Sequence, residues 1–529
     1  MKVLNRHLVL SLLSLYLKNP SNYFDVYFNI KEGFKYFINK IDVKASDDLF
    51  NDIQLNKLNL IIDRSYLKQA KYKKTNIIYN EEFLNNLKKD LAKYIFQEGL
   101  YFFEIALMER VENDLVSVLF DINSVEPIYI KNIDIFGNTR TKESVIRREL
   151  EFAEGDAYND LLVNKSSSKL KKLGIFSDVK IEKNQDGSVI VEVKEKPTGS
   201  FQIGVGFNSY DGATFVAELN ERNFQGTGRT LNLRFDNSSN RSNYKLGVVK
   251  PYAFNKDVDL IYNINYSETD LSKRSSYNYN NFVTEVGLDY LLQEKLSHRV
   301  TLGYSLKNYE ITDKNNVSSS ILNLSGTNAE YLLNNTLVYN RLDSLIKPTN
   351  GDYTNFTNVF SPITNSTNGY TKNTIKFRKY YSKYNNIYSI QSLLGNVVSL
   401  QNETIDNSDK FSLGGRWLRG FDHYGAGPRD SRSSYIGGNN LAVAKFDILR
   451  PLDKFAENPI YIDLFTDVGK VWSNKNSPTF NNEEVRSSFG FGLNYYSPIG
   501  PIGFTWGFPI SDEPEDIKRM FTFSIGYLN

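Results

Sequence analysis

From residue 199 onward the sequence shows no helical period. Segments of about 8–13 residues alternate apolar and polar side chains, and clusters of Gly, Asn, Asp and Ser separate them. Such alternation marks strands with one dry face and one wet face. Sixteen segments fit, starting near residues 201, 213, 229, 243, 257, 279, 296, 329, 351, 370, 386, 440, 459, 486, 501 and 519. So many strands in one unbroken run have two outlets, a soluble sandwich or a closed barrel. The even count suits a bacterial membrane barrel, and closure leaves no edge unpaired. The reading is a 16-stranded antiparallel transmembrane β-barrel. A mean hydropathy of −0.42 excludes a bundle of apolar helices. It does not exclude a barrel, whose lumen-facing residues are polar.

Strand parity makes the reading specific. In Ile460-Tyr461-Ile462-Asp463-Leu464-Phe465-Thr466-Asp467-Val468 the even positions are mostly apolar, and the odd positions carry both carboxylates. A charge on the lipid face costs about 2–4 kcal/mol for Arg or Lys at the midplane, and less for Asp. Asp463 and Asp467 should therefore face the lumen. By the same rule Ala442, Ala444, Phe446 and Ile448 face lipid, and Lys445 and Asp447 face inward.

One interruption of the strand pattern is long. Residues 401–439 are rich in Gly, Ser, Asn and Asp and lack periodicity, which points to a functional loop rather than a simple connection. Within it stands Gly414-Gly415-Arg416-Trp417-Leu418-Arg419-Gly420-Phe421. Arg419 needs anionic partners if this loop folds back into the barrel; otherwise it sits in an exposed turn.

The first two hundred residues follow another rule. Phe34-Lys35-Tyr36-Phe37-Ile38-Asn39-Lys40-Ile41-Asp42-Val43 and Pro127-Ile128-Tyr129-Ile130-Lys131-Asn132-Ile133-Asp134-Ile135 each open as an alternating strand and continue into helical patterning. In the second segment Thr141 should cap a helix whose Val145, Ile146 and Leu150 share a face. A helix over 160–173 should end at Gly174, and strands over 176–182 and 188–195 should meet at an Asp186-Gly187 turn. In the first segment a helix over 81–96 precedes strands over 101–110 and 114–122. The repetition suggests an array of small β-α-α-β-β modules. Their three-stranded sheets are either plain spacers or platforms with a free edge, to which an extended peptide can add.

Here a family resemblance enters. Ile133-Asp134-Ile135-Phe136-Gly137-Asn138-Thr139-Arg140-Thr141, Glu154-Gly155-Asp156-Ala157-Tyr158 and Leu173-Gly174-Ile175-Phe176-Ser177-Asp178-Val179 together resemble a POTRA domain. The match is to the POTRA unit next to the barrel in the BamA-like family of outer-membrane protein assembly factors. Asn223-Phe224-Gln225-Gly226-Thr227-Gly228 and Pro348-Thr349-Asn350-Gly351 resemble turns of that family. Leu418-Arg419-Gly420-Phe421 resembles its Arg-Gly-Phe/Tyr loop motif. Gly437-Gly438-Asn439-Asn440-Leu441-Ala442-Val443-Ala444 and Ser497-Pro498-Ile499-Gly500-Pro501 resemble two further signatures.

The resemblance implies α+β POTRA modules followed by an all-β barrel. Residues 1–33 would be the remnant of a POTRA unit or a signal-like segment, 34–125 a POTRA-like domain, 126–198 the barrel-proximal POTRA domain and 199–529 the barrel. It implies assembly and insertion of β-barrel proteins into the bacterial outer membrane, with the POTRA domains in the periplasm. Unfolded outer-membrane proteins, outer-membrane lipid and the accessory lipoproteins of an assembly complex would be the partners. Arg419 would contact Asp447 and Asp467, and with Leu418, Gly420 and Phe421 these residues would form a loop lock. The seam between the first strand (201–208) and the last (520–528) would be a lateral gate, at Phe201, Gly204, Gly206, Phe521, Phe523 and Gly526. Glycine weakens strands, which gives the seam a modest physical basis. A TamA-like or two-partner-secretion translocator shares the plan, whereas a passive porin lacks POTRA units.

No feature of the chain suggests an enzyme. There is no Walker loop, no H-E-x-x-H and no G-x-S-x-G. His7, His298 and His423 are scattered and read as surface residues. Cysteine is absent, which removes thiolate chemistry, disulfides and Cys-based zinc sites. No cofactor or metal site is expected. A net charge of +2, with no basic run among aromatics, gives no reason to expect a nucleic acid. Lys2 and Arg6 precede an apolar run from Leu8 to Leu17 with no cleavage site after it. This is either a signal-like segment or a helix left from a truncated domain. Phe24-Asp25-Val26-Tyr27-Phe28-Asn29-Ile30 alternates as a strand. Phe521-Thr522-Phe523-Ser524-Ile525-Gly526-Tyr527-Leu528-Asn529 resembles the recognition signal of outer-membrane barrels, but ends in Asn529 where an aromatic residue is usual.

Overall fold

The computed structural model describes residues 15–16, 25–26, 35–45, 50, 52–70, 77–100 and 102–526, apart from loop stretches at 315–316, 323–325, 346, 365–367, 402–404, 453–459, 475–481 and 498–499. The rest of the apolar run at 8–17, the rest of the strand at 24–30, Pro498-Ile499 and the terminal Asn529 lie outside the described residues. Two short strands, β1 (Leu15–Tyr16) and β2 (Asp25–Val26), pair antiparallel.

The first module consists of β3 (Phe37–Ala45), α1 (Asp52–Ala70), α2 (Glu81–Gln97), β4 (Phe103–Glu112) and β5 (Leu115–Ser124). Helix α2 forms where Asn80 caps it, its side chain accepting from the Glu82 N–H. Leu84, Leu87, Leu91 and Ile95 recur at steps of three and four, so one face is buried. Val116, Val118, Phe120 and Ile122 recur at steps of two on β5 and meet that face in one core. The sheet order is β3-β5-β4, with β5 parallel to β3 and antiparallel to β4.

The second module has β6 (Ile133–Phe136), α3 (Glu143–Arg147), α4 (Asp160–Lys172), β7 (Phe176–Lys183) and β8 (Val189–Glu195), in sheet order β6-β8-β7. Two expectations are corrected here. The opening strand is only four residues, because Ile130 and Lys131 instead donate to the Asp156 and Gly187 carbonyls. Thr141 does not cap α3; Lys142 holds that position without a side-chain bond. The reason is Glu195, whose Oε1 takes the Thr141 N–H at 2.7 Å, while the Thr141 hydroxyl accepts from Asn223 at 2.8 Å.

Glu195 also receives the Thr139 hydroxyl at 2.9 Å and the Arg140 N–H at 3.1 Å. Burial alone would raise its pKa, but the bonds from Thr141, Thr139 and Arg140 outweigh it and bring the pKa from 4.5 down to about 2. The resulting stability is present above pH 4.5 and lost as pH falls through about 2. Glu195→Gln should destabilise the neutral protein by about 1–2 kcal/mol once solvent screening is allowed for. Melting curves of both forms should converge between pH 4.5 and 2; a constant gap would contradict this assignment.

Residues 137–149, 170–179 and 193–529 form one compact unit and the remaining residues another. The larger unit holds a barrel of sixteen strands. These are β9 (Gly199–Asn208), β10 (Gly212–Phe224), β11 (Arg229–Ser238), β12 (Arg241–Lys250), β13 (Asp259–Asp270), β14 (Tyr277–Gln293), β15 (Leu296–Ile311) and β16 (Gly326–Asn340). They continue as β17 (Gly351–Ser361), β18 (Tyr370–Lys383), β19 (Asn386–Ser399), β21 (Asn440–Pro451), β22 (Ile460–Trp472), β23 (Arg486–Ser497), β24 (Gly500–Ser511) and β26 (Phe521–Gly526). All neighbours are antiparallel, and β26 closes the ring on β9. Two further strands, β20 (Gly420–Phe421) and β25 (Lys518–Arg519), pair apart from the ring.

Parity is obeyed. On β22 Asp463, Phe465 and Asp467 are buried while Leu464 and Val468 are exposed. On β21 Asp447 is buried and Phe446 exposed. Among the described residues no helix is long and apolar enough to cross a membrane.

Candidate functional site

The site forms where the loop over 401–439 meets the inner faces of β21 and β22. Gly414 and Gly415 adopt left-handed φ of 123° and 59°, and a short turn at Gly415–Trp417 follows. Leu418 and Phe421 are wholly buried in an apolar cluster with Leu393, Val397, Leu441, Val443 and Val471. Those two anchors point the residue between them, Arg419, at the wall. Gly420 lies so close to Gly507 that a Cβ would meet the Gly507 carbonyl oxygen at 3.1 Å. Only a residue without a side chain passes there comfortably.

Arg419 donates from Nε to Asp467 Oδ2 at 2.8 Å and from Nη2 to Asp467 Oδ1 at 2.6 Å, a bidentate fork. Its backbone N–H reaches the same carboxylate at 2.9 Å. Nη2 lies 2.6 Å from Asp447 Oδ1, and Nη1 donates to Asp463 at 3.2 Å. The guanidinium carbon stands 3.6 Å from the Phe465 ring centroid, a stacked cation–π contact. The Arg419 side chain is 13% exposed and that of Asp467 0%. Burial works against the guanidinium charge, but the Asp467 bonds and the fields of Asp467, Asp447 and Asp463 outweigh it and hold the pKa above the usual arginine value. Ser389 and Gln391 of β19 donate to Asp447, and Lys445 donates to the Arg416 carbonyl at 2.6 Å.

Leu418, Arg419, Gly420, Phe421, Asp447 and Asp467 are thus in one place. Sequence reasoning put Asp463 in the lumen but did not join it to Arg419. It also missed Asp422, whose carboxylate takes Arg519 Nε at 2.9 Å and a further bond from Arg274. No period marks such loop-to-loop pairs; the only hint is an Asp directly after Phe421. His7 lies outside the described residues, and the other two histidines are partly exposed. His298 is half-buried beside the Tyr290 hydroxyl at 2.7 Å, and His423 is half-buried with its ring against Tyr424. Burial, ahead of its charged neighbours, pushes the His423 pKa down.

The seam is short. Strand β26 pairs with β9 at Asn208–Ser524, Phe207–Ile525 and Gly206–Gly526, three register pairs among the described residues, whereas β9 and β10 share ten. Ser209 adds a clamp, its N–H donating to the Phe523 carbonyl at 3.0 Å and its hydroxyl accepting the Phe523 N–H at 2.9 Å. Gly526 has φ 89°, and a Cβ there would lie 2.3 Å from the Val205 oxygen. Gly206, Phe523 and Gly526 therefore stand at the seam. Phe201 and Gly204 pair with β10 and not with described residues of β26, and Phe201 is 65% exposed. Phe521 pairs with Trp506 of β24, on the side away from β9.

Small α+β modules ahead of a 16-stranded barrel, with a loop arginine bonded to the inner wall, define a POTRA-bearing outer-membrane barrel. The Omp85 superfamily domain matches residues 223–528, more than half the chain, and the POTRA model, described as surface antigen variable number repeat, matches 128–196. The chain belongs to the Omp85 superfamily. It is 26% identical over 486 residues to the outer membrane protein assembly factor BamA of Neorickettsia risticii, covering 90% of this chain and 64% of that protein. It is 22% identical over 560 residues to BamA of Neisseria meningitidis serogroup B, covering 94% and 67%. The chain thus spans about two thirds of the length of these relatives. Among solved structures, BamA from Haemophilus ducreyi lacking POTRA domains 1–3 shares the fold at a TM-score of 0.75 and 23% identity, covering 93% of this chain and 99% of that one. CdiB from Acinetobacter baumannii follows at 0.52 and 14%, covering 97% and 94%.

Proposed function

We propose that the protein assembles and inserts β-barrel proteins into the bacterial outer membrane. The observation that carries this reading is the seam, with three register pairs among the described residues, beside a row of exposed apolar side chains on β9 (Phe201, Ile203 and Val205). Such an edge offers backbone groups and apolar surface to an incoming strand. Insertion then needs no nucleotide, since closing backbone hydrogen bonds and burying apolar surface in lipid drive it. Phe201, Gly204, Gly206, Phe521, Phe523 and Gly526 flank this lateral gate. Leu418, Arg419, Gly420, Phe421, Asp447 and Asp467 lock the long loop. The modules at 34–125 and 126–198 face the periplasm, receive unfolded outer-membrane proteins and dock accessory lipoproteins.

The test is depletion followed by an inventory of outer-membrane barrels. Broad loss of barrels is the expected result. Loss of one exported protein with the barrels intact would instead indicate a dedicated translocator on the same fold.

A further inference from the structure

The loop that carries Arg419 is also gripped elsewhere. On β15 and β16, Lys307 and Glu330 point inward and are 7% and 2% exposed. Lys307 Nζ donates to Glu330 at 2.9 Å and to both carboxylate oxygens of Asp409 at 2.7 Å. Asp409 belongs to the long loop. The Tyr370 hydroxyl of β18 bridges the same two carboxylates at 3.3 Å each. Lys372 donates to the Asp409 carbonyl at 2.7 Å and lies 4.7 Å from the Phe411 ring centroid. That ring fills the place where a side chain on Gly395 would be, since a Cβ there would fall 2.5 Å from it. Carboxylate oxygens of Glu330, Asp406 and Asp409 converge within 4.8 Å, as they would around a cation, and the Lys307 ammonium supplies that charge.

The polarity of this grip is the reverse of that at Arg419. There a loop cation meets wall carboxylates; here a loop carboxylate meets a wall cation. The strands differ too, β15, β16 and β18 against β21 and β22. Between Asp409 and Arg419 lie Gly414 and Gly415, consecutive residues with left-handed φ. We infer that the loop is held by charged anchors on either side of a glycine hinge, Asp409 before it and Arg419, with Asp422, after it. Lys307 and Glu330 are positioning residues that hold residues 405–411 as a fixed base, so that release of Arg419 swings the following segment without freeing the loop from the lumen. This rests on reading Arg419 as the lock. It adds that the lock is releasable and its base is not. Contacts to β15, β16 and β18 and a ring seated against Gly395 hold the base without using any group of the Arg419 cluster.

The chain has no native cysteine, so a single introduced thiol reports one position. Ile405 and Ala426 are buried on either side of the hinge. Full-length protein in lipid vesicles, carrying Ile405→Cys or Ala426→Cys, is treated with a maleimide. Arg419→Ala is expected to speed modification at 426 by about tenfold or more and to leave 405 within about twofold, tenfold corresponding to about 1.4 kcal/mol of local opening. Lys307→Met should speed modification at 405. The neutral pair Lys307→Met with Asp409→Asn guards against a folding failure, and resistance to SDS at room temperature verifies the barrel. It too should speed modification at 405. Equal acceleration at both positions in Arg419→Ala, or a protected 405 in both Lys307 variants, overturns the inference. Client assembly is scored separately, so a fault in the proposed function shows there and leaves the thiol rates as they are.

Discussion

Arg419→Ala is expected to release the loop segment that follows Gly415 from the lumen wall and to impair client assembly strongly. The substitution leaves the buried Asp447, Asp463 and Asp467 side by side, with Lys445 facing the same side. Removing one partner of a buried ion cluster costs roughly 3–5 kcal/mol, because the remaining charges are uncompensated. Arg419→Lys separates charge from shape. An ammonium keeps the sign but cannot form the fork to Asp467 or the stack on Phe465. It should rank between the native protein and alanine. Limited proteolysis within 412–439 reports release, and the barrel inventory reports function. A loop as protected as the native one, with full assembly, would sink the lock.

How far the sequence could be read depended on the range of the forces involved. The sixteen strand starts fell within three residues of those observed, because turn residues and period-two alternation are local signals. Parity placed Asp447, Asp463 and Asp467 inward for the same reason, since lipid tolerates no charge opposite them. The same rule applied to β15 and β16 would have flagged Lys307 and Glu330, which share the buried register with Ser305 and Tyr309. Their partner Asp409 was out of reach, because how a loop docks leaves no period behind. Thr141 failed differently. A cap is a local preference, and Glu195, 54 residues further on, offered its backbone N–H a stronger acceptor. The Arg419 partners named from the resemblance were Asp447 and Asp467; the third, Asp463, needed coordinates.

A second large effect should come from a residue without charge or side chain. Gly490 of β23 lies opposite Phe465 of β22. A Cβ on Gly490 would stand 2.0 Å from the Trp506 carbonyl oxygen and 2.5 Å from the Phe465 ring. Neither neighbour can simply move aside. Trp506 is held in the β23–β24 ladder, and the Phe465 ring carries the Arg419 guanidinium. Gly490→Ala should therefore overpack the wall at a cost of about 1–3 kcal/mol. It should also loosen Arg419 although no ionic group is altered. Gly492→Ala is the matched control, on the same strand and face. Its nearest contact would be the Phe504 oxygen at 3.1 Å, which a few tenths of an ångström relieves. Melting and loop proteolysis of the two variants should diverge, with protection of 412–439 lost in the first and kept in the second. If both variants keep it, Phe465 is not the platform that sets the Arg419 fork, and the carboxylates alone position it.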